Sequence, residues 1–212
     1  MALFLHILNN KFLLPKKINK IKKINFGCGS DIKEGFVNVD MNRNADIYLD
    51  VRNKLNIETQ TIEYIYSSHF LEHLEHWELV AHLKECYRIL KKDGTIRIEI
   101  PIFEKLFGDY CTHNDERYER KREKLSDKFA IPKNLICRMD LINNAVYEYG
   151  LHKTCIDYEK MQNILIFVGF EKDKIKKSEY KEKIDVETRK NTTVYVEAEK
   201  LGNQTTNQWG CI

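Results

Sequence analysis

Two glycines and one aspartate early in the chain have the types and spacing of a nucleoside-binding turn. Gly27 and Gly29 follow a short apolar run, and Asp40 ends the next one. Glycines at the end of a buried strand let the backbone approach a ligand closely, because no Cβ stands in the way. A carboxylate at the end of the neighbouring strand can accept hydrogen bonds from both hydroxyls of a ribose. The sequence therefore predicts a site for a ligand that carries a nucleoside.

The same turn does not fit a dinucleotide. The dinucleotide fingerprint requires a third glycine three residues after the second, and that position is Ile32. Only residues 30–35 separate the two runs, so the helix whose N-terminus would face a diphosphate has almost no room. A nucleoside ligand without a diphosphate fits better, and S-adenosylmethionine (SAM) is such a ligand.

A group of histidines could carry acid–base or metal chemistry. His69, His73 and His76 stand at positions i, i+4 and i+7 with Glu72 among them, and His152 comes from a later segment. Histidine has the basicity of a general base near neutral pH, and three at helical spacing could also hold zinc. Cations that assist group transfer usually take carboxylates, so we expect no metal. The alternative to a catalytic role for His73 is a structural one, in which its side chain fixes a strand–helix junction.

Composition and charge describe one domain with a highly charged surface. The 212 residues suffice for a single core, and 42% are hydrophobic against 32% charged. The net charge of only +3 argues against a nucleic-acid partner, because no basic excess would attract phosphates. The six cysteines form no C-x-x-C pair, so we expect reduced thiols in a cytoplasmic protein.

The apolar pattern predicts a parallel sheet with the chemical residues at one edge. We expect strands at 22–26, 36–40, 46–50, 62–66, 95–100, 172–178 and 192–199. Amphipathic helices are predicted at 70–90, where Lys91–Gly94 ends the helix, and at 156–168. Strands that alternate with crossovers indicate an α/β fold, whose ligands bind beyond the carboxyl ends of the strands.

The segment between the fifth strand and the last helix is predicted to be a substrate-facing insert. Within it, residues 116–128 are almost all charged, which is typical of a solvated surface helix. We expect one domain over residues 1–200, with the insert at about 104–150 acting as a lid, and a disordered tail at 201–212.

The first residues are apolar but resemble neither a leader nor a membrane span. The run Met1–Leu14 is too short to cross a bilayer, and its lysines follow the apolar residues instead of preceding them. We predict a helix that packs on the domain. The alternative is contact of residues 1–23 with an acidic membrane surface through the lysines that follow residue 15.

Several stretches together resemble one known family. INFGCGSDIKEGFVNV (residues 24–39), followed by Asp40, resembles the cofactor half of class I SAM-dependent methyltransferases of the methyltransferase type 11 kind, which are often associated with surface-polysaccharide synthesis. IEYIYSSHFLEHL and LKECYRILKKDGTIRIEIP, within residues 62–101, extend the likeness. Residues 152–158 and 165–170 resemble the family's substrate-side segment and final helix. Where the family has a Leu-Lys-Pro-Gly-Gly turn, this chain has the divergent Leu-Lys-Lys-Asp-Gly at residues 90–94.

The resemblance implies a fold, a cofactor and a set of contact residues. The fold is Rossmann-like, with a mostly parallel seven-stranded sheet, an antiparallel last strand, helices on both faces and a shortened first helix. The implied cofactor is SAM, released as S-adenosylhomocysteine (SAH). The implied cofactor residues are Asn25, Phe26, Gly27, Cys28, Gly29, Asp40, Met41, Asp50, Val51, Ser67 and Ser68. Asp40 would hold the ribose, Met41 would pack on the adenine, and Asp50 would accept from the adenine amine, unless it is a turn cap.

Methyl transfer from a sulfonium is an in-line displacement, and a hydroxyl acceptor must lose its proton as the new bond forms. A general base is therefore expected, with His69 as the leading candidate and His73 and His152 as the others. The family association implies an O-methyltransferase acting on a sugar or glycan, a deoxysugar of a surface glycan being one such acceptor. A small metabolite, a lipid-linked acceptor and RNA are alternative substrates. A SAM-binding structural subunit is the non-enzymatic alternative.

Overall fold

The apolar runs of the sequence form one seven-stranded sheet. The computed structural model describes residues 14–112 and 115–202, so the expectations for residues 1–13 and for the tail beyond residue 202 lie outside the described residues. The strands are β1 Lys23–Phe26, β2 Val37–Asp40, β3 Ile47–Tyr48, β4 Ile62–Ser68, β5 Leu90–Pro101, β6 Ile175–Ser178 and β7 Thr193–Glu199. Their order is β3-β2-β1-β4-β5-β7-β6. Six strands run in the same direction, and β7 runs antiparallel to them between β5 and β6. The predicted α/β class is confirmed.

Helices surround this sheet. They are α1 Leu14–Lys20, α2 His76–Ile89, α3 Phe103–Cys111, α4 Asp115–Phe129, α5 Arg138–Tyr147 and α6 Tyr158–Val168. Within the described ranges, no helix is long and apolar enough to cross a membrane. Helices α2 and α6 pack against each other and bury Leu83 and Leu165 in the main core. The Asp157 side chain caps α6 by accepting from the Lys160 N–H at 2.7 Å.

The strand register brings three strand ends to one edge of the sheet. Phe26, the last residue of β1, pairs with Val39 on one side and with Ser67 on the other. The turn after β1, the end of β2 and the end of β4 therefore meet. The Gly27 N–H also donates to the carbonyl of Val39 at 2.9 Å, which fixes the turn against β2.

The first crossover contains no helix at all, so the predicted shortening is complete. Residues 27–36, all of which the structure describes, form turns only. Two buried asparagines hold this crossover by hydrogen bonds. Asn25 Nδ2 donates to Asn38 Oδ1 at 3.0 Å, and the Lys33 N–H donates to the same oxygen at 2.9 Å. Helix α1 supplies Leu14 and Ile18 to the core ahead of β1.

The helix predicted at 70–90 is broken near its start. A 3-10 turn spans Leu71–His73, and Leu74 is extended before α2 begins at His76. The break follows from burial and capping, because Leu71 and Leu74 enter the core and Glu75 forms a capping box with Glu78.

At the other end of α2, the left-handed residue differs from the expectation. Asp93 takes that conformation with φ 60°, and Gly94 has no positive φ. A Cβ on Gly94 would approach the carbonyl oxygen of Lys91 to 2.9 Å, so close packing explains this glycine.

The predicted insert is a group of helices with a small core of its own. Leu125, Ile136 and Leu141 form this core, with Tyr118 and Phe129 packed on it. Helix α4 is the charged helix expected at 116–128. The extent of the domain over residues 1–200 stays a prediction.

Candidate active site

A cavity of about 530 Å³ opens where β1, β2 and β4 end. This volume lies in the range of small-molecule sites. Eight of the eleven predicted cofactor residues line it: Gly27, Cys28, Gly29, Asp40, Met41, Asp50, Val51 and Ser68. The position agrees with the rule that ligands of open α/β sheets bind beyond the carboxyl ends of the strands.

The glycine turn forms one wall of this cavity, which we call the cofactor cavity. Gly27 and Gly29 have φ of 65° and 52°, a region that L residues avoid. A Cβ on Gly27 would lie 2.1 Å from Cγ of Phe70, whereas a Cβ on Gly29 meets open space. The Gly29 N–H donates to Oδ2 of Asp40 at 2.8 Å, which ties the turn to the end of β2.

The wall at β3 is apolar apart from one aspartate. Met41, half exposed, and the buried Val51 offer apolar surface suited to a flat ring. Asp50 accepts from Arg52 through both oxygens, at 2.8 Å from Nε and 2.6 Å from Nη2, and from the Arg52 N–H at 3.1 Å. Asp50 is thus a turn cap, and an adenine amine would have to compete with an exposed ion pair that is weak, worth about 0–1 kcal/mol.

The other three predicted cofactor residues lie behind the wall. Asn25, Phe26 and Ser67 are almost fully buried and do not line the cavity. These three residues sit within the β1 and β4 ladders, which are covered on both faces, and not in the turns that follow them. Asn25 bonds Asn38, as described above, and Phe26 packs against the His82 ring with centroids 4.9 Å apart.

A second cavity of about 400 Å³ adjoins the first, and we call it the acceptor cavity. His69, His73 and Arg189 line both cavities. Of its thirteen lining residues eight are polar or ionisable. His152 is among them, so the structure brings the three predicted catalytic histidines to the same place.

His69 occupies the junction of the two cavities in a constrained conformation. Its φ is 48°, its N–H donates to the carbonyl of Glu99 at 2.9 Å, and its Nε2 lies 2.8 Å from Oγ1 of Thr193. Burial, followed by the positive charge of Arg189, lowers the pKa of His69 to about 3. The ring is therefore neutral at neutral pH.

His73 and His152 are oriented by backbone carbonyls. Nδ1 of His73 donates to the carbonyl of Leu151 at 3.2 Å, and Nδ1 of His152 donates to that of Ala145 at 2.9 Å. The ring centroids are 4.9 Å apart. Each ring keeps Nε2 for another partner, and that of His152 lies 2.7 Å from Oε2 of Glu148.

Glu72 is a buried carboxylate beside these rings. Its exposed fraction is 0%, and among the described residues neither carboxylate oxygen has a hydrogen-bond partner. Nδ1 of His69 lies 3.6 Å from Oε1, beyond hydrogen-bond distance. Burial raises the pKa of Glu72 to about 8.

His76 does not join this group. It lines a separate groove on α2 and α6, beside Trp77 and Phe167. Because the helix is broken before His76, the helical spacing that would place it on the face of His69 and His73 does not exist. The alternative zinc set of His69, His73 and His76 is therefore wrong.

The sequence did not reveal Arg189. Its Nη1 donates to Oγ of Ser68 at 2.7 Å and to the Ser68 carbonyl at 3.2 Å, and Ser68 in turn donates to Oε2 of Glu99 at 2.6 Å. The buried guanidinium of Arg97 donates to both oxygens of Asp185, four residues before Arg189. No motif marks an arginine in the polar turn that precedes β7, so only the fold identifies it.

The residues at the cofactor cavity fit SAM. Gly29 leaves open space where a Cβ would stand, and Asp40 uses one carboxylate oxygen on Gly29, which leaves Oδ1 for a ribose hydroxyl. An apolar wall at Met41 and Val51 suits an adenine.

Comparison with known proteins finds one family model and a set of solved structures with a similar fold. Residues 25–98 match the family model described as a methyltransferase domain. The solved SAM-dependent methyltransferase from Archaeoglobus fulgidus is 20% identical, with a TM-score of 0.50 over 93% of this chain and 99% of that chain. A SAM-dependent methyltransferase of Thermotoga maritima, a possible histamine N-methyltransferase, is 14% identical, with a TM-score of 0.46 over 92% of each chain. No curated protein matches the chain by sequence.

The matched domain runs from β1 to β5 and contains Gly27, Asp40 and Ser68, which line the cofactor cavity. At 20% identity, the likeness to the Archaeoglobus fulgidus structure shows a shared fold. Residues 25–98 thus form a methyltransferase domain, and its fold and the fit of the cofactor cavity support SAM as its cofactor.

Proposed function

We propose that the protein methylates a hydroxyl oxygen of a sugar or glycan bound in the acceptor cavity. The observation that carries the proposal is the junction of the two cavities at His69, His73 and Arg189. A cofactor in one cavity and an acceptor in the other would meet at these side chains. Holding the two partners in line removes much of the entropic part of the barrier.

The lining of the acceptor cavity supports a polar, hydroxyl-rich acceptor. Glu72 and Glu148 supply acceptors, whereas Lys121 and Arg189 supply donors. A sugar offers both donors and acceptors around its ring, so it can satisfy both kinds of group. Phe103 adds an apolar surface for the face of such a ring.

Bound SAM supplies an electrophilic methyl group on a positively charged sulfur. The acceptor oxygen gains a bond to this carbon and must lose its proton. We assign the proton to His69, because this buried ring lies on both cavity walls and is oriented by Thr193 and by the carbonyl of Glu99. A positioned general base contributes about 10²- to 10⁴-fold to the rate and works best with a pKa near the working pH, so the lowered pKa of His69 places its contribution at the low end of this range.

The experiment is an acceptor screen read by mass spectrometry. The protein and SAM are incubated with sugars and nucleotide sugars, and in parallel with amines and thiols. We expect a sugar methyl ether, formed together with one equivalent of SAH. Methylation of amines or thiols alone would contradict the proposal.

Substitution of His69 tests the proton acceptor separately. With the sugar found in the screen, His69→Ala should lose at least about 100-fold in turnover while SAH binds as in the wild type. His76→Ala is the matched control, because His76 lies on the separate groove. This variant should keep both the turnover and the SAH binding of the wild type. Full turnover of His69→Ala would show that another group takes the proton.

A further inference from the structure

We propose that Glu72, His73 and His152 bind a divalent transition-metal cation such as zinc at the wall of the acceptor cavity. One ligand atom from each of the three residues lies within 4.8 Å of the others. Two ligand atoms on one tetrahedral zinc ion lie about 3.4 Å apart, given bonds of about 2.1 Å. Side-chain rotations that shorten the present distances by about 1.4 Å or less would close the site.

The two histidines have the arrangement of metal ligands. Zinc-binding histidines almost always donate their second ring N–H to a carbonyl or carboxylate, which fixes the tautomer and aims the remaining lone pair. Here Nδ1 of both His73 and His152 donates to a backbone carbonyl, that of Leu151 and that of Ala145. Both Nε2 atoms are thereby prepared as ligands.

Glu72 supplies the independent observation. The protein structure as described gives this fully buried carboxylate no hydrogen-bond donor on either oxygen. A buried carboxylate without a partner is costly, and a cation between it and the two imidazoles removes that cost. Two imidazoles and one carboxylate are also a familiar ligand set for catalytic zinc, with further coordination positions left open.

The backbone brings these distant residues together. The N–H groups of Lys153 and Thr154 donate to the carbonyl of Glu72 at 2.8 and 3.2 Å. The segment that carries His152 is thereby fixed beside the 3-10 turn that carries Glu72 and His73. Glu148, whose Oε2 is 2.7 Å from Nε2 of His152, releases this nitrogen when a metal binds and can then supply a fourth ligand.

The role of the ion, unlike its binding, rests on the proposed function. All three ligand residues line the acceptor cavity, so an acceptor hydroxyl can take an open coordination position. Coordination to a divalent cation lowers the pKa of a bound hydroxyl and holds its oxygen in place. From the sequence, the candidate zinc ligands are His69, His73 and His76, and no metal is expected. His152 is not in that set, because it lies 79 residues after His73.

The test is a metal titration of the chelator-treated full chain, without SAM or acceptor. Co²⁺ is followed by visible absorption, and Zn²⁺ by calorimetry. We expect one equivalent to bind wild type and His76→Ala, and the affinity of Glu72→Gln and His152→Asn to fall by at least about 100-fold. SAH binding and thermal unfolding without metal verify that each variant is folded. If Glu72→Gln does not fold, His152→Asn decides.

The outcomes separate the two proposals. Failure of wild type to bind either ion, or equal affinity in folded Glu72→Gln and His152→Asn, would overturn the metal site. If Co²⁺ binds at these residues but no hydroxyl acceptor is methylated, the metal site stands and the proposed function fails. If the protein binds neither ion and still methylates a sugar at full rate, the proposed function stands and the metal site fails.

Discussion

The Asp40 carboxylate accepts a hydrogen bond from the backbone N–H of Gly29 at 2.8 Å, across the ends of two neighbouring strands. This bond joins the two features that the sequence presents separately, a glycine turn and an acidic residue. It also occupies Oδ2 only, so the carboxylate can hold the turn and a ribose hydroxyl at the same time.

Replacing Asp40 by asparagine should weaken cofactor binding without unfolding the protein. The amide oxygen of Asp40→Asn can still accept from Gly29, but the charge that strengthens a hydrogen bond to a ribose hydroxyl is lost. We expect the Kd for SAH to rise about 10-fold or more in a calorimetric titration. Glu63→Gln, which alters an exposed ion pair with Lys91, is the control and should bind SAH normally. An unchanged Kd in Asp40→Asn would contradict the ribose assignment.

Two glycines offer a matched pair of alanine substitutions. Gly27→Ala forces an L residue to φ 65° and places a Cβ against Phe70, so it should destabilise the protein by about 2–5 kcal/mol. Gly108→Ala adds a methyl group to α3 in open space and should be neutral or stabilising by up to about 1 kcal/mol. Chemical denaturation measures both values. Equal stabilities would show that the turn after β1 relaxes away from the geometry described.

Arg189 should contribute to ligand binding through its charge. Its guanidinium lies on both cavities and is held by Ser68. Arg189→Met keeps most of the side-chain volume but removes the charge, and we expect weaker binding of SAH, of the acceptor or of both, by about 10-fold. Lys190→Met is the neighbouring control, since Lys190 lines neither cavity. Unchanged binding constants for both ligands would assign Arg189 a purely structural role.

His82 should make the folded state sensitive to acid. Burial lowers the pKa of this core histidine to about 4. The unfolded chain binds a proton below about pH 6.5 while the folded protein does not, so stability falls as the pH falls from 6.5 to 4. The shift corresponds to about 3 kcal/mol.

Unfolding free energies of wild type and His82→Gln between pH 7 and pH 4 isolate this contribution. The difference in stability between the two proteins should change by about 3 kcal/mol over this range, in favour of the variant at low pH. A difference that stays constant with pH would show that His82 is not held neutral in the core.

The sequence predicts the parts of the site that are local and misses those that depend on distant contacts. Gly27, Gly29 and Asp40 carry their own signals, because a turn between two short strands restricts which residues fit. Asn25 and Phe26 belong to the same stretch, yet both are buried because β1 is a central strand covered on both faces. Arg189 reaches Ser68 from 121 residues away, and no periodicity encodes that contact.

The histidines illustrate both outcomes. Their types predict base chemistry, and the structure places His69, His73 and His152 together at the acceptor cavity. The spacing of His76 is misleading, because it assumes a continuous helix where Leu71 and Leu74 turn the chain into the core. The sequence pattern identifies the fold class because strands that alternate with crossovers indicate a parallel sheet, whereas the grouping of side chains requires the tertiary structure.

A crystal structure of the protein with SAH tests the central claim most directly. The account predicts density in the cofactor cavity, with the ribose at Asp40, the amino-acid part along Gly27 and Gly29, and the sulfur toward His69. Density for SAH in the acceptor cavity or in the groove beside Trp77, with the cofactor cavity left empty at saturating SAH, would contradict it.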